Sequence, residues 1–411
     1  MLTRNLIKII ILSSICVFLL NCKSEEIILH GNIKGIVTDA ETGAPVEHAM
    51  VVVNPSNDTA FTENDGAYLL KNISPGEYAL QASKFSYNTS LKNIELEEKE
   101  TEEVNFALNG IPIPQFSDTV LNFELETASL TFTISNIGKG KLTYFFTAAD
   151  WINFSPSGGY VTDETDIITI MIDRSGLSDT ILYHEPVRVI SDFRTDTVEV
   201  IVNGFMYEGQ VYKIVKIGTQ TWMAENLNAG KKIETSDYNV QNNNDVIEKY
   251  CYENSPCNIY GGLYEWNEMM QYNPPDDKLT GTTKGICPYG WHIPTLNEWI
   301  ILINYLGGDK EAVGKLKEKG TEHWLAPNDG ATNESGFTAL PGGGYYKVNY
   351  YDKKNQFASI GTTGLFWTAT QSDYDQSSRY RIEIRDPHSG ISRNNRGLLM
   401  DALSVRCLKN P

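Results

Sequence analysis

Cys287, His292 and Glu298 fall within twelve positions of one another in the stretch "CPYGWHIPTLNEWIILINYLGG", residues 287–308. A cysteine thiolate can act as nucleophile or soft metal ligand, an imidazole as base or ligand, and a carboxylate as general base. The spacing argues against both kinds of chemistry. A zinc-binding helix presents two histidines at i and i+4, as in H-E-x-x-H, so that both face one metal. Here a single histidine precedes the helix, and the other histidines of the last segment, His323 and His388, are distant in sequence. Glu298 has a structural task instead. With Thr295 as N-cap it completes a capping box, T-x-x-E, in which hydroxyl and carboxylate each accept from the other residue's backbone N–H. Leu296, Trp299, Ile300 and Ile303 then follow as one apolar stripe, and Gly307 and Gly308 end the helix. A second helix is expected after Asp309, its cap, with Ala312, Val313 and Leu316 facing inward.

The cysteines depend on where the chain resides. Arg4 and Lys8 flank or interrupt an apolar run from Ile9 to Leu20, which is too short to span a bilayer and suits a secretory signal core. The run ends in "LLNC", which resembles the lipobox of bacterial lipoproteins; the resemblance implies cleavage and lipidation at Cys22. The following "CKSEE" resembles the acidic tag that sends some lipoproteins to the cell surface. The chain is therefore expected to be lipid-anchored to the outer membrane, surface-exposed, with no crossing helix. Of six cysteines, Cys16 lies in the signal and Cys22 is the anchor. Cys251, Cys257, Cys287 and Cys407 remain, and an even number in an exported chain reads as disulfides. Four cysteines allow three connectivities, among which spacing does not choose. The favoured pairing joins Cys287 to Cys407 and Cys251 to Cys257. In the chain-entropy model these loops contribute on the order of 4–5 and 2–3 kcal/mol.

The 411 residues leave room for several domains, and the formal charge of −18 excludes the basic footprint of a nucleic-acid binder. After a signal peptide (1–22) and a tether (23–30), residues 31–109 alternate as strands: Ala49, Val51 and Val53 share one face, and Val104, Phe106 and Leu108 another. Turn signals punctuate them, with Gly66 expected at positive φ and Asp65 as a turn residue. "GIVTDAETGAPVEHAMVVV", "TENDGAYLLKNISPGEYAL" and "ASKFSYN" resemble the carboxypeptidase regulatory-like domain. The likeness implies a transthyretin-like β-sandwich that scaffolds or binds and carries no catalytic residues. Residues 110–205 open on the proline-bearing linker "GIPIP" and alternate again through Leu130–Ile134, Ile168–Ile172 and Val198–Val202, an immunoglobulin-like sandwich in outline. "SNIGKGKLTYFFTAADWINFSPSGGYVTDETDIITIMIDRSGL" resembles the BACON-type domain of bacterial surface proteins, for which a carbohydrate or mucin contact has been suggested. Trp151 is either a platform for sugar or the buried pin of the sandwich.

Residues 206–411 mix strands with two helices. "YKIVKIGTQTWMAENL", "CYENSPCNIYGGLYEWNEMM", "CPYGWHIPTLNEW", "TNESGFTALPGGG", "GLFWTAT" and "SVRCLKN" occur in the order seen in the major paralogous (FISUMP) domain. The resemblance implies an α+β fold related to the sulfatase-modifying factors and to C-type lectins. The formylglycine-generating enzymes of that superfamily use a free, copper-binding cysteine pair; with every late cysteine bridged, that chemistry has no ligand or nucleophile. Asn328, Asp329, Asn333 and Glu334 in "APNDGATNES" are candidate calcium oxygens, although the E-P-N and W-N-D signatures of lectins are missing. "GGDKEAVGKL" fails as a P-loop, with one residue too many and Leu316 where Ser or Thr holds magnesium. No cofactor is implied. Tyr345, Tyr346, Tyr350 and Tyr351 after "LPGGG" form the candidate exposed binding set, and Tyr374 and Tyr380 follow. The chain thus reads as a surface-anchored, non-catalytic module for glycans, glycoproteins or mucin. The alternative is an enzyme of sulfatase-modifying-factor type or of unknown activity.

Overall fold

The computed structural model describes residues 29–235, 241–242, 244–252, 257–347, 356–385 and 390–411. Cys22, Tyr350, Tyr351 and His388 lie outside the described residues. The chain is multidomain and mostly β-sheet. It divides into two compact units: residues 1–115 with 135–142 and 160–165, and residues 116–134 with 143–159 and 166–411. No helix among the described residues is long and apolar enough to cross a membrane.

In the first unit, strand Gly31–Asp39 pairs antiparallel with Ala67–Ile73 and parallel with Thr101–Glu103 and Phe106–Leu108. A second sheet runs Asp58–Phe61, Met50–Asn54, Gly76–Ser83, Ser90–Leu96, all antiparallel. Period-two alternation sends Ile33, Val37, Val51, Val53, Leu80, Val104, Phe106 and Leu108 into one shared core. Tyr68, buried with them, donates its hydroxyl to the Val104 carbonyl at 2.6 Å. Gly66 sits at φ +77°, and a Cβ there would meet the Val37 carbonyl oxygen at 2.5 Å, so the turn admits only glycine. The Asp65 carboxylate accepts from the Ala67 N–H at 3.0 Å, an Asx turn.

The strands from Pro114 to Val202 form two further sheets. One is ordered Val120–Phe123, Thr195–Val202, Tyr183–Ser191, Leu142–Thr147, Gly158–Val161; the other Ile152–Ser155, Thr165–Ile172, Ser129–Asn136, Pro114–Phe116. Thr195–Val202 passes through one residue, Asn203, into strand Gly204–Tyr207. Asn203 is fully buried at φ +61°, with every polar group engaged. Its Oδ1 accepts from Arg174 at 3.0 Å, and its Nδ2 donates to the Ser178 and Ile181 carbonyls at 2.9 and 2.8 Å. Its N–H donates to Phe123, and its carbonyl accepts from Ile214. Nearby, Lys409 pairs with Glu124 and Lys216 with Glu126 around a cavity of about 260 Å³. This joint is a packed corner within the second unit.

Residues 204–411 add a sheet ordered Gly204–Tyr207, Gln210–Ile217, Gln220–Met223, Leu408–Lys409, Trp291–His292. A second runs Tyr264–Glu265, Ala402–Leu403, Gly342–Tyr346, Gln356–Ile360, and a third Gly364–Gln371, Ser378–Ile384, Ser392–Leu398. Helix Leu296–Tyr305 starts at the expected capping box: Thr295 accepts from the Glu298 N–H at 3.3 Å, and Glu298 accepts from the Thr295 N–H at 2.9 Å. Its inward face is Trp299, Leu302 and Ile303, so Leu302 takes the place expected of Ile300, which is only half-buried. Helix Asp309–Leu316 buries Ala312, Val313 and Leu316 as expected. Its cap is Gly308, however, because the Asp309 carboxylate is gripped by the Arg393 guanidinium.

Candidate functional site

Cys287, His292 and Glu298 are built into the frame. Cys287 and Cys407 are joined by a disulfide across 120 residues, Cα atoms 5.9 Å apart, inside a core with Trp266, Trp291 and Trp367. Cys251 and Cys257 form the second bridge, Cα atoms 5.3 Å apart. His292 has no exposed surface. Its Nε2 lies 3.0 Å from Glu298 Oε1, and its Nδ1 lies 2.8 Å from Asn410 Oδ1. Glu298 also accepts from the Gly281 N–H at 3.0 Å, and a Cβ on Gly281 would meet the His292 ring at 2.8 Å. The pair thus ties together the helix start, Gly281 and the residue that follows the last strand.

Burial alone would push the His292 imidazole down, but the Glu298 carboxylate and Asn410 outweigh it, and the net displacement is upward from 6.5. A raised folded value means the protonated ring favours the native state. That stabilisation is complete below the unfolded value and is lost as pH rises through the folded one. Thermal melts from pH 5.5 to 8.5 should therefore show stability declining above about pH 6.5. His292→Gln should remove that slope; an unchanged slope in the variant would assign it to other groups.

The tyrosine set needs correction. Tyr345 is buried, its ring centroid 4.6 Å from that of Tyr250 and 4.9 Å from that of Phe357. Strand Gly342–Tyr346 lies between Ala402–Leu403 and Gln356–Ile360, and the pleat turns Tyr345 inward. Tyr346 is half-buried against the neighbouring core, and burial raises its phenol. Tyr350 and Tyr351 lie outside the described residues. Trp151 is half-buried, its ring centroid 5.9 Å from that of Tyr183, so only part of the indole is open.

The four calcium candidates are not drawn to one point by their amides. Asn328 donates to the Glu318 and Gly320 carbonyls, while Asn333 is engaged with Thr338 through both amide atoms at 2.8 and 2.9 Å. Asp329 and Glu334 are exposed on the loop.

Two features escaped the sequence. The first is Glu268, almost fully buried and pushed up to about 7 by burial, accepting from the Glu248 N–H at 2.9 Å and the Tyr272 hydroxyl at 3.3 Å. The second is a surface patch around Tyr374, which is 57% exposed. The Arg396 guanidinium stacks on its ring, 4.6 Å from the centroid. Beside it Asn395 donates to the Asp373 carboxylate at 2.9 Å, and that bond, with one from Tyr380, holds Asp373 below the usual carboxylate range. Ser372 locks the loop, donating to the Asn395 carbonyl at 2.6 Å and accepting from the Tyr374 N–H at 2.9 Å. An aromatic face flanked by a carboxylate, an amide, a guanidinium and a phenol can bind a ligand that is apolar on one face and polar at its edges. The only sequence signal was the pair Tyr374 and Tyr380; their companions come from strand Ser392–Leu398.

Residues 215–409 match the family model of the Fibrobacter succinogenes major domain, and residues 32–109 match the carboxypeptidase regulatory-like domain. No curated protein matches the chain. Among solved structures, the chain is similar to the major pilin subunit of Bacillus cereus (10% identity, TM-score 0.27, 43% of this chain, 70% of that one). It is also similar to a candidate carbohydrate-binding protein of Bacteroides uniformis (14% identity, TM-score 0.20, 42% of this chain, 98% of that one).

Proposed function

We propose that this chain is a lipid-anchored, surface-exposed binding module of the outer membrane whose C-terminal segment meets glycans or glycoproteins without turning them over. Cys22 carries the anchor. In this reading a transthyretin-like sandwich, an immunoglobulin-like, BACON-type sandwich and an α+β, C-type-lectin-like domain follow the anchor. The observation that carries the reading is the Tyr374 patch: an open aromatic ring held by Arg396 beside an ionised Asp373 and Asn395. Sugars offer an apolar face and a ring of hydroxyls, which such a constellation satisfies with few moving parts. The bridged cysteines favour binding over thiol chemistry.

The test is a soluble form starting at residue 31, screened against host and plant glycans and mucins, with Tyr374→Ala beside the wild type. The variant should lose at least tenfold in affinity for any hit, about 1.4 kcal/mol or more, with an unchanged melting temperature. Retained binding would remove the patch from the account, and an altered glycan would replace binding with catalysis.

A further inference from the structure

We propose that Glu318, Glu322 and His323 form a binding site for a divalent transition cation of the zinc class. Their ligand atoms, two carboxylate oxygens and one imidazole nitrogen, all lie within 4.8 Å of one another. His323 Nδ1 faces both Glu318 oxygens, at 2.8 and 3.1 Å. Tetrahedral zinc with bonds of about 2.0–2.1 Å needs its ligand atoms roughly 3.4 Å apart. To reach that geometry the Glu318–His323 contact opens slightly and the exposed Glu322 side chain closes in.

The loop is built to hold these groups. Lys317 and Trp324, the chain neighbours of Glu318 and His323, are buried together, with the ammonium 3.9 Å from the indole centroid. Lys317 Nζ donates to the Arg385 carbonyl at 2.9 Å, and Trp324 Nε1 donates to the Ala339 carbonyl at 3.0 Å. With both ends pinned inward, Glu318 and His323 are left facing each other at the rim. The Tyr260 ring packs edge-on against the imidazole at 5.7 Å.

One observation separates a cation site from an ordinary ion pair. Glu322 has no cationic partner among the described residues, yet its carboxylate sits beside that of Glu318. Like charges so placed repel, and a cation between them would relieve that repulsion. Half-buried Asn328 fixes the backbone that carries Glu318, its Nδ2 donating to the Glu318 and Gly320 carbonyls. A mixed imidazole–carboxylate set suits zinc, whereas calcium takes six to eight oxygens.

The site is independent of the glycan reading and is tested with the metal alone. Tag-free protein stripped with EDTA is titrated with ZnCl₂ by calorimetry, with CaCl₂ as the second arm. One equivalent of zinc should bind and raise the melting temperature. Glu322→Gln and His323→Ala should each weaken uptake at least tenfold, and Glu322→Gln should leave the metal-free melting temperature unchanged. No zinc uptake, uptake indifferent to Glu322→Gln, or calcium bound as tightly as zinc would each overturn the proposal; the second would reduce the cluster to a Glu318–His323 pair.

Discussion

Replacing Arg406 by methionine should destabilise the second unit by about 4 kcal/mol, the largest effect expected of any single substitution here. The guanidinium is completely buried and donates to four acceptors: Asn226 Oδ1 at 2.6 Å and the carbonyls of Met223, Phe337 and Thr338 at 3.0, 2.6 and 2.9 Å. It also lies over the Phe337 ring, 4.4 Å from the centroid. Burial pushes it down to about 9, with Glu225 opposing, so it stays charged at neutral pH. Methionine fills much of the volume but leaves four acceptors dry. Lysine should recover less than half of the loss, because one point charge cannot reproduce a planar fork. Six of the seven tryptophans lie beyond residue 205, so urea melts followed by tryptophan fluorescence read this unit. A loss below about 1 kcal/mol would mean that water already reaches these carbonyls.

Removing the Cys287–Cys407 bridge as a double alanine variant should cost on the order of 4–5 kcal/mol, against roughly 2–3 kcal/mol for Cys251 and Cys257, because loop-closure entropy grows with loop length. The bridges close loops with sequence separations of 120 and 6. The long one fastens the helix-bearing 287–308 stretch to the final strand, which also receives His292 through Asn410. Equal losses from the two double variants would show that residual structure in the unfolded chain, rather than loop length, governs the stabilisation.

What the sequence made legible was local. The Thr295–Glu298 box needs only four consecutive residues, and Gly66 and Asp65 announce their turn by type. What it hid depends on distant partners. Tyr345 and Tyr374 look alike in sequence, yet one lies in a strand between two neighbours and the other on a loop tip. Arg406 finds its acceptors 68 to 183 positions away. Asn203 is likewise fixed by Arg174, Ser178 and Ile181, 22 to 29 positions away. The Glu318–His323 pair is nearly local, but the intervening loop conceals it until Lys317 and Trp324 turn inward.

The most direct test of a disulfide-braced C-terminal segment without thiol chemistry is peptide mapping under non-reducing conditions. Two linked peptide pairs, Cys251 with Cys257 and Cys287 with Cys407, should account for every late cysteine, with no free thiol. A labelled free pair, or Cys287 joined elsewhere, would contradict it and return that cysteine to the list of reactive groups.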